Sequence, residues 1–209
     1  MGNLRFFLGI EVVRYADGLY IIQKKYAQNF LQRTMMHCAR AIHTPLSQKC
    51  DLHTDGGSPV DASDYRSMVG ALQYLTLMRP DLTHAVNQVC QFMQAPTTTQ
   101  WKGVNRILRY LARTVNFWLR ITSKYSLKLV GFFDADWAGC AVTRRSTTGL
   151  CVFLGANCIS WSSKKQHTVA KSSAEAKYRA LASLAAEITW LLHLLRHLGV
   201  SLESPPVLY

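Results

Sequence analysis

Two β-rich runs, Phe6 to Val13 and Gly18 to Gln23, flank Ala16-Asp17-Gly18. An Asp-Gly step between such runs predicts a hairpin. Apolar residues then recur at helical spacing. Tyr26, Phe30 and Leu31 share one face of a short helix over residues 26–36, with Thr44-Pro45 as its stop. Residues 50–63 read as a loop, in which Gly56-Gly57-Ser58-Pro59 is turn chemistry. Ser63 is expected to cap a helix to about residue 78, with Tyr65, Met68, Val69, Leu72 and Leu75 in phase. Pro80-Asp81 opens another helix through residue 93, stopped by Ala95-Pro96. Thr99 starts a third, over 101–113, whose apolar face is Trp101, Val104, Ile107, Leu108 and Leu111.

From Leu127 the period shortens. Residues 127–133, 148–154 and 157–161 read as three strands, the last two joined by a tight turn at Gly155-Ala156-Asn157. Ser172 starts a helix of about seven turns with Tyr178, Leu181, Ala185, Ile188, Leu192 and Leu195 as its buried stripe, closed by Gly199. Pro205-Pro206 leads into Val207-Leu208-Tyr209, the start of another strand. The pattern predicts an α/β (α+β) chain in two parts, 1–124 and 125–209. The first is a β-hairpin followed by a mostly helical region; the second is a mixed sheet left incomplete at Tyr209.

Charge narrows the choice of partner. Lys and Arg number 24 against 12 Asp and Glu, a formal charge of +12. Such a field favours polyanions, nucleic acid first. One helix concentrates it: Lys102, Arg106, Arg109 and Arg113 lie opposite the apolar face of residues 101–113. A basic stripe at this spacing can follow a phosphate backbone, and it can equally be a solvated helix face. No apolar run reaches membrane-spanning length, and the N-terminal run is too short and too charged for a secretion signal. The expected setting is therefore intracellular, in a cytoplasmic particle or the nucleus, with no membrane partner.

The six cysteines contain no C-x-x-C pair and read as reduced, mostly buried thiols. Cys38, His43, Cys50 and His53 are near in sequence but match no standard zinc spacing. Arg106-Ile107-Leu108-Arg109 matches the Arg-x-Leu-Arg string of secreted pathogen effectors; mid-chain on an amphipathic helix, it reads as a chance match.

The strongest chemical signal is a pair of carboxylates. Asp134 stands where the first strand of the second part should end, and Asp136 follows two residues on, pointing the same way. Glu175 opens the long helix. Carboxylates gathered from a strand end and a helix start can hold Mg2+ for phosphodiester hydrolysis. Glu175 also has a purely local reading, since Ser172-x-x-Glu175 is a capping box. Taken with Asp134, the metal role is preferred.

These residues sit in strings that resemble the end of the Pol polyprotein of copia-type LTR retrotransposons. Phe7-Leu8-Gly9-Ile10-Glu11-Val12 with Gly18-Leu19-Tyr20-Ile21 is similar to the primer-grip hairpin of its reverse transcriptase, and Thr44-Pro45-Leu46 to the end of its thumb. Tyr65-Arg66-Ser67, Gly70-Ala71-Leu72-Gln73-Tyr74-Leu75, Arg79-Pro80-Asp81 and Arg106-Ile107-Leu108-Arg109-Tyr110-Leu111 resemble its connection region. Asp134-Ala135-Asp136-Trp137-Ala138-Gly139-Cys140, Arg144-Arg145-Ser146-Thr147-Thr148-Gly149 and Ser172-Ser173-Ala174-Glu175-Ala176 resemble its ribonuclease H domain. The resemblance implies a ribonuclease H-like fold for the second part and hydrolysis of the RNA strand of an RNA–DNA hybrid. It implies a two-ion Mg2+ site with Asp134 and Glu175 as ligands and catalytic residues, and Asp136 behind them. It places a third ligand aspartate after Tyr209 and the polymerase aspartates before Met1. The expectation is a fragment that does not cut on its own; the alternative is a transposon-derived protein that binds nucleic acid without catalysis. Lys177 stands where the family usually has an acidic residue, and puts a positive charge near the acids.

Overall fold

The computed structural model describes residues 5–47, 52, 57–123 and 125–209. They form two compact units, Met1–Arg120 and Ile121–Tyr209. The secondary structure is of the expected α+β kind.

In the first unit the Asp-Gly hairpin pairs β2 (Ile10–Tyr15) with β3 (Gly18–Ile22), and Tyr15 faces Gly18 across a two-residue turn. A second tight turn, not expected from the sequence, folds β1 (Phe6–Phe7) back on β2. Leu8 and Gly9 turn the corner with φ of 47° and 75°. Two successive positive φ values make a turn that matches strand twist, and glycine takes one of them without strain. A further short strand, β4 (Leu119–Thr122), is the fourth member of this sheet; its four residues gave no periodic signal.

Four helices supply the core. They are α1 (Lys24–Arg33), α2 (Ala62–Leu75), α3 (Pro80–Cys90) and α4 (Thr98–Arg113). Helix α1 stops at Arg33, well before Thr44-Pro45, because Met35 takes a positive φ of 54° and turns the chain out of the helix. Asp61, not Ser63, caps α2: its carboxylate accepts from the Ser63 and Asp64 N–H groups at 2.6 and 2.9 Å. An ionised acceptor two residues earlier also meets the positive end of the helix dipole, which a hydroxyl does not. Thr97, one position outside α4, forms a capping box with Gln100. Tyr65, Val69, Leu72, Val89, Val104, Ile107, Leu108 and Leu111 are sealed between these helices. Of the expected loop at 50–63, residues 50, 51 and 53–56 lie outside the described residues; Pro59 forms an isolated bridge to Thr97, and the last two residues already belong to α2.

The second unit is a four-stranded mixed sheet in the order β7-β6-β5-β8. Strands β5 (Leu129–Asp136), β6 (Thr147–Leu154) and β7 (Asn157–Lys165) are antiparallel neighbours, and β8 (Val207–Leu208) runs parallel to β5. Helix α5 (Ser173–His197) packs on β5 and β6. Its buried stripe is Ala176, Ala180, Leu184, Ile188, Leu191 and Leu195; of the six predicted positions, Ile188 and Leu195 are buried, and Tyr178 is 72% exposed. Close approach explains the difference. A Cβ on Gly131 of β5 would lie 2.8 Å from Leu184, so the helix lies close on the strand there and Leu184 fills the space that the glycine leaves.

Candidate functional site

Asp134 lies within β5, two residues before its end, rather than at the end itself, and pairs with Gly149 of β6. The strand is longer than expected because β6 pairs it through Asp136↔Thr147. Alternation turns Ala135 into the core and leaves Asp134 in solvent, its side chain 81% exposed.

Glu175 stands in the first turn of α5. Ser172 caps that helix by accepting from the Glu175 N–H at 3.1 Å. Half of the capping box is therefore made. The other half is redirected: the Glu175 carboxylate accepts from the Lys171 N–H at 2.6 Å instead of from Ser172, and its second oxygen takes the Arg179 guanidinium at 2.6 Å. The Lys171 N–H, and after it Arg179, hold the Glu175 carboxyl below its ordinary value. It is an anion at neutral pH, already matched by a cation one helical turn away.

Asp134 lies near the first turns of α5, which it meets through Lys177. This residue, two after Glu175 on the same turn of α5, brings its ammonium to 3.9 Å from Asp134. The neighbouring loop is fixed to the helix start, with Trp137 donating to the Ala170 carbonyl at 3.0 Å. Gln166 donates to the Ala176 carbonyl at 3.0 Å. Asp136 is occupied locally: its carboxylate accepts the Thr147 N–H and closes the turn at Gly139, which is too tight for any side chain there. Sequence reasoning missed Arg179, Lys171 and Gln166; for Arg179 the available signal is the i, i+4 spacing from Glu175.

Two Mg2+ ions need several oxygen donors converging on one place. Among the described residues no group of three or more His, Cys, Asp or Glu could hold a metal ion. Two carboxylates, one facing an ammonium and the other tied to a guanidinium and a backbone N–H, do not fit a two-ion site. Cations outnumber acids at this end of the sheet. Arg144, Arg145, Lys164, Lys171 and Lys177 are all exposed there.

The basic stripe of α4 is divided in the structure. Lys102 and Arg113 are exposed. Arg106 and Arg109 are half-buried and fasten the segment after α1: Arg106 donates to Thr44 Oγ1 at 2.8 Å and Arg109 to the Arg40 carbonyl at 2.7 Å. Between them Ile107 and Leu108 are fully buried, so the Arg-x-Leu-Arg string is core helix, not an exposed linear motif. Of the four residues Cys38, His43, Cys50 and His53, the last two lie outside the described residues; Cys38 is exposed. No helix among the described residues is long and apolar enough to cross a membrane.

Comparison with known proteins adds a lineage. The chain is 48% identical over 190 residues, 91% of its length, to an uncharacterised mitochondrial protein, AtMg00810, from Arabidopsis thaliana, and spans 79% of that protein. It is 44% identical over 209 residues to the retrovirus-related Pol polyprotein from transposon RE2 of the same plant, of which it spans 14%. A 128-residue stretch, 61% of the chain, is 48% identical to secreted RxLR effector protein 161 of Plasmopara viticola, covering 90% of that protein. No family model and no solved structure matches.

Proposed function

The chain belongs to the Pol polyprotein family of copia-type retrotransposons, and on that premise we propose that it joins the end of a reverse transcriptase to a ribonuclease H-like unit and binds RNA–DNA hybrid without cutting it. The order of the second unit supports the first half of this reading. Three antiparallel strands, a long helix and a strand returning parallel to the first carry Asp134 near the first turns of α5, as a ribonuclease H-like unit requires. For the whole polyprotein the resemblance implies metal-dependent hydrolysis of the RNA strand. The donor set on this chain does not fit the ions, so no hydrolytic step is assigned to it.

The observation that carries the binding half is the exposure of Arg144 and Arg145 before β6 and of Lys171 and Lys177 at the start of α5, on the segments next to the paired acids Asp134 and Glu175. Such a surface presents net positive charge to a phosphate backbone. Lys102 and Arg113 extend the same character to α4. Arg106 and Arg109 have structural bonds and contribute less. Titration of a fluorescent RNA–DNA hybrid across about 50 to 200 mM salt tests the proposal, with affinity expected to fall steeply. Replacing Arg144 and Arg145 by Gln should reduce the salt slope by about one unit per phosphate contact removed. Absent or salt-insensitive binding would overturn it.

A further inference from the structure

The sheet of the second unit holds two thiols side by side. Cys151 lies in the middle of β6 and Cys158 near the start of β7, joined by the tight turn after Leu154, where Gly155 takes a φ of 58°. The ladder sets Cys151 opposite Trp161 and Val152 opposite Ser160, then slips, so that Phe153 faces Cys158. Ile159 is the extra residue of a bulge, and a bulge re-aims the side chains beside it. Here it brings the Cys158 sulfur to 3.3 Å from that of Cys151. Both side chains are half-buried, so small solutes can reach them. The sequence reads the cysteines as reduced, mostly buried thiols; among the described ones Cys140 is buried, Cys90, Cys151 and Cys158 are half-buried and Cys38 is exposed, and the bulge that unites this pair leaves no mark in residue spacing.

We propose that Cys151 and Cys158 form a reversible disulfide site, closed by a two-electron oxidant of the hydroperoxide class. The Cys151 thiolate attacks a peroxide oxygen. The O–O bond breaks, a sulfenic acid forms on Cys151, and the departing hydroxide leaves as water after taking up a proton. The Cys158 sulfur then attacks the Cys151 sulfur, the S–S bond forms, the S–OH bond breaks, and the hydroxide leaves as water with the Cys158 proton. The two thiols lose two electrons and the peroxide gains them.

The division of roles follows from the contact. The hydrogen bond from Cys158 brings the Cys151 thiol down to about 7, while that same bond, and then burial, pushes Cys158 up. Cys151 is thus the sulfur that carries thiolate at neutral pH and attacks first. The sulfurs must close from 3.3 Å to about 2.05 Å. Because β7 is an edge strand of the sheet, the bond staples that edge to β6.

The test uses the whole chain. Trypsin releases residues 146–164 as one peptide containing Cys151 and Cys158 and no other cysteine. After stoichiometric hydrogen peroxide and alkylation with N-ethylmaleimide, this peptide should lack both adducts and weigh two hydrogens less. Dithiothreitol should restore both adducts. Cys158→Ser should trap a dimedone-reactive sulfenic acid on Cys151. As a measurement that needs no variant, phenylarsine oxide, which bridges neighbouring thiols, should protect the same peptide from alkylation in the reduced chain. Full alkylation of residues 146–164 after both treatments, with oxidation appearing only at the exposed Cys38, would overturn the proposal.

Discussion

In the first unit Arg79 is buried among helices; in the second, Lys177 meets Asp134 in open solvent. Arg79 clamps Asp81 through two hydrogen bonds of 2.9 and 2.7 Å and donates to the Thr114 carbonyl and hydroxyl at 3.0 and 2.6 Å. Tyr110 adds a bond to Asp81 at 2.9 Å. Every polar atom of that carboxylate is engaged, and Arg79 ties the start of α3 to the end of α4. The Lys177–Asp134 pair has one contact of 3.9 Å between side chains that are 62% and 81% exposed. Water screens it, and its contribution to folding is small. Arg79-Pro80-Asp81 and the Asp134 string were both singled out by resemblance; the first holds two helices together through buried bonds, and the second leaves the Asp134 side chain in solvent. A motif therefore marks a constraint without saying whether the constraint is the fold or the chemistry.

Mutation can break this contrast. Arg79→Ala should cost about 4 kcal/mol in urea unfolding, because it leaves a carboxylate partly buried without its cation; a loss below about 1 kcal/mol would show that the network does not hold α3 to α4. Acid should act next most strongly. Burial alone raises the Asp81 carboxyl, but its hydrogen bond to Arg79, then the Arg79 charge and the Tyr110 bond, outweigh that and hold it below its ordinary value of 3.8. The folded state thus favours the ionised form. The stability this confers is complete well above pH 3.8 and is lost as pH falls through the lower folded value. Asp81→Asn should flatten the acid limb of the stability profile; an unchanged limb would assign it to other groups. Lys177→Ala should shift stability by no more than about 0.5 kcal/mol, and a larger loss would mean that the surface pair resembles the buried one.

What could be read from the sequence follows the same division. Helices with wide apolar faces, such as α2 and α4, were legible because Tyr65, Leu72, Ile107 and Leu108 recur at 3.6-residue spacing. Strands β5 to β7 were legible from their apolar runs, and β8 from three residues after a proline pair. Asp134 and Glu175 were singled out by residue type at expected element ends, although Asp134 lies inside β5. The buried stripe of α5 was not, since it depends on how closely the helix approaches Gly131. Nor was the commitment of Arg106 and Arg109 to Thr44 and Arg40, which are more than sixty residues away in sequence. The Asp61 cap was missed by preferring Ser63, two positions on. The α5 stripe and the two arginine contacts turn on distances set by tertiary packing, which residue spacing does not encode; the Asp61 cap is local, a choice between two neighbouring cap residues.

Asp134 is paired with Lys177 and Glu175 with Arg179, and the cationic surface beside them is proposed to hold hybrid without cutting it. Incubating the whole chain with end-labelled RNA–DNA hybrid and Mg2+, at protein concentrations that saturate binding, tests it most directly. The expected result is a shifted complex whose RNA strand stays intact over hours. Release of short RNA products by this chain, abolished in Asp134→Asn, would contradict it.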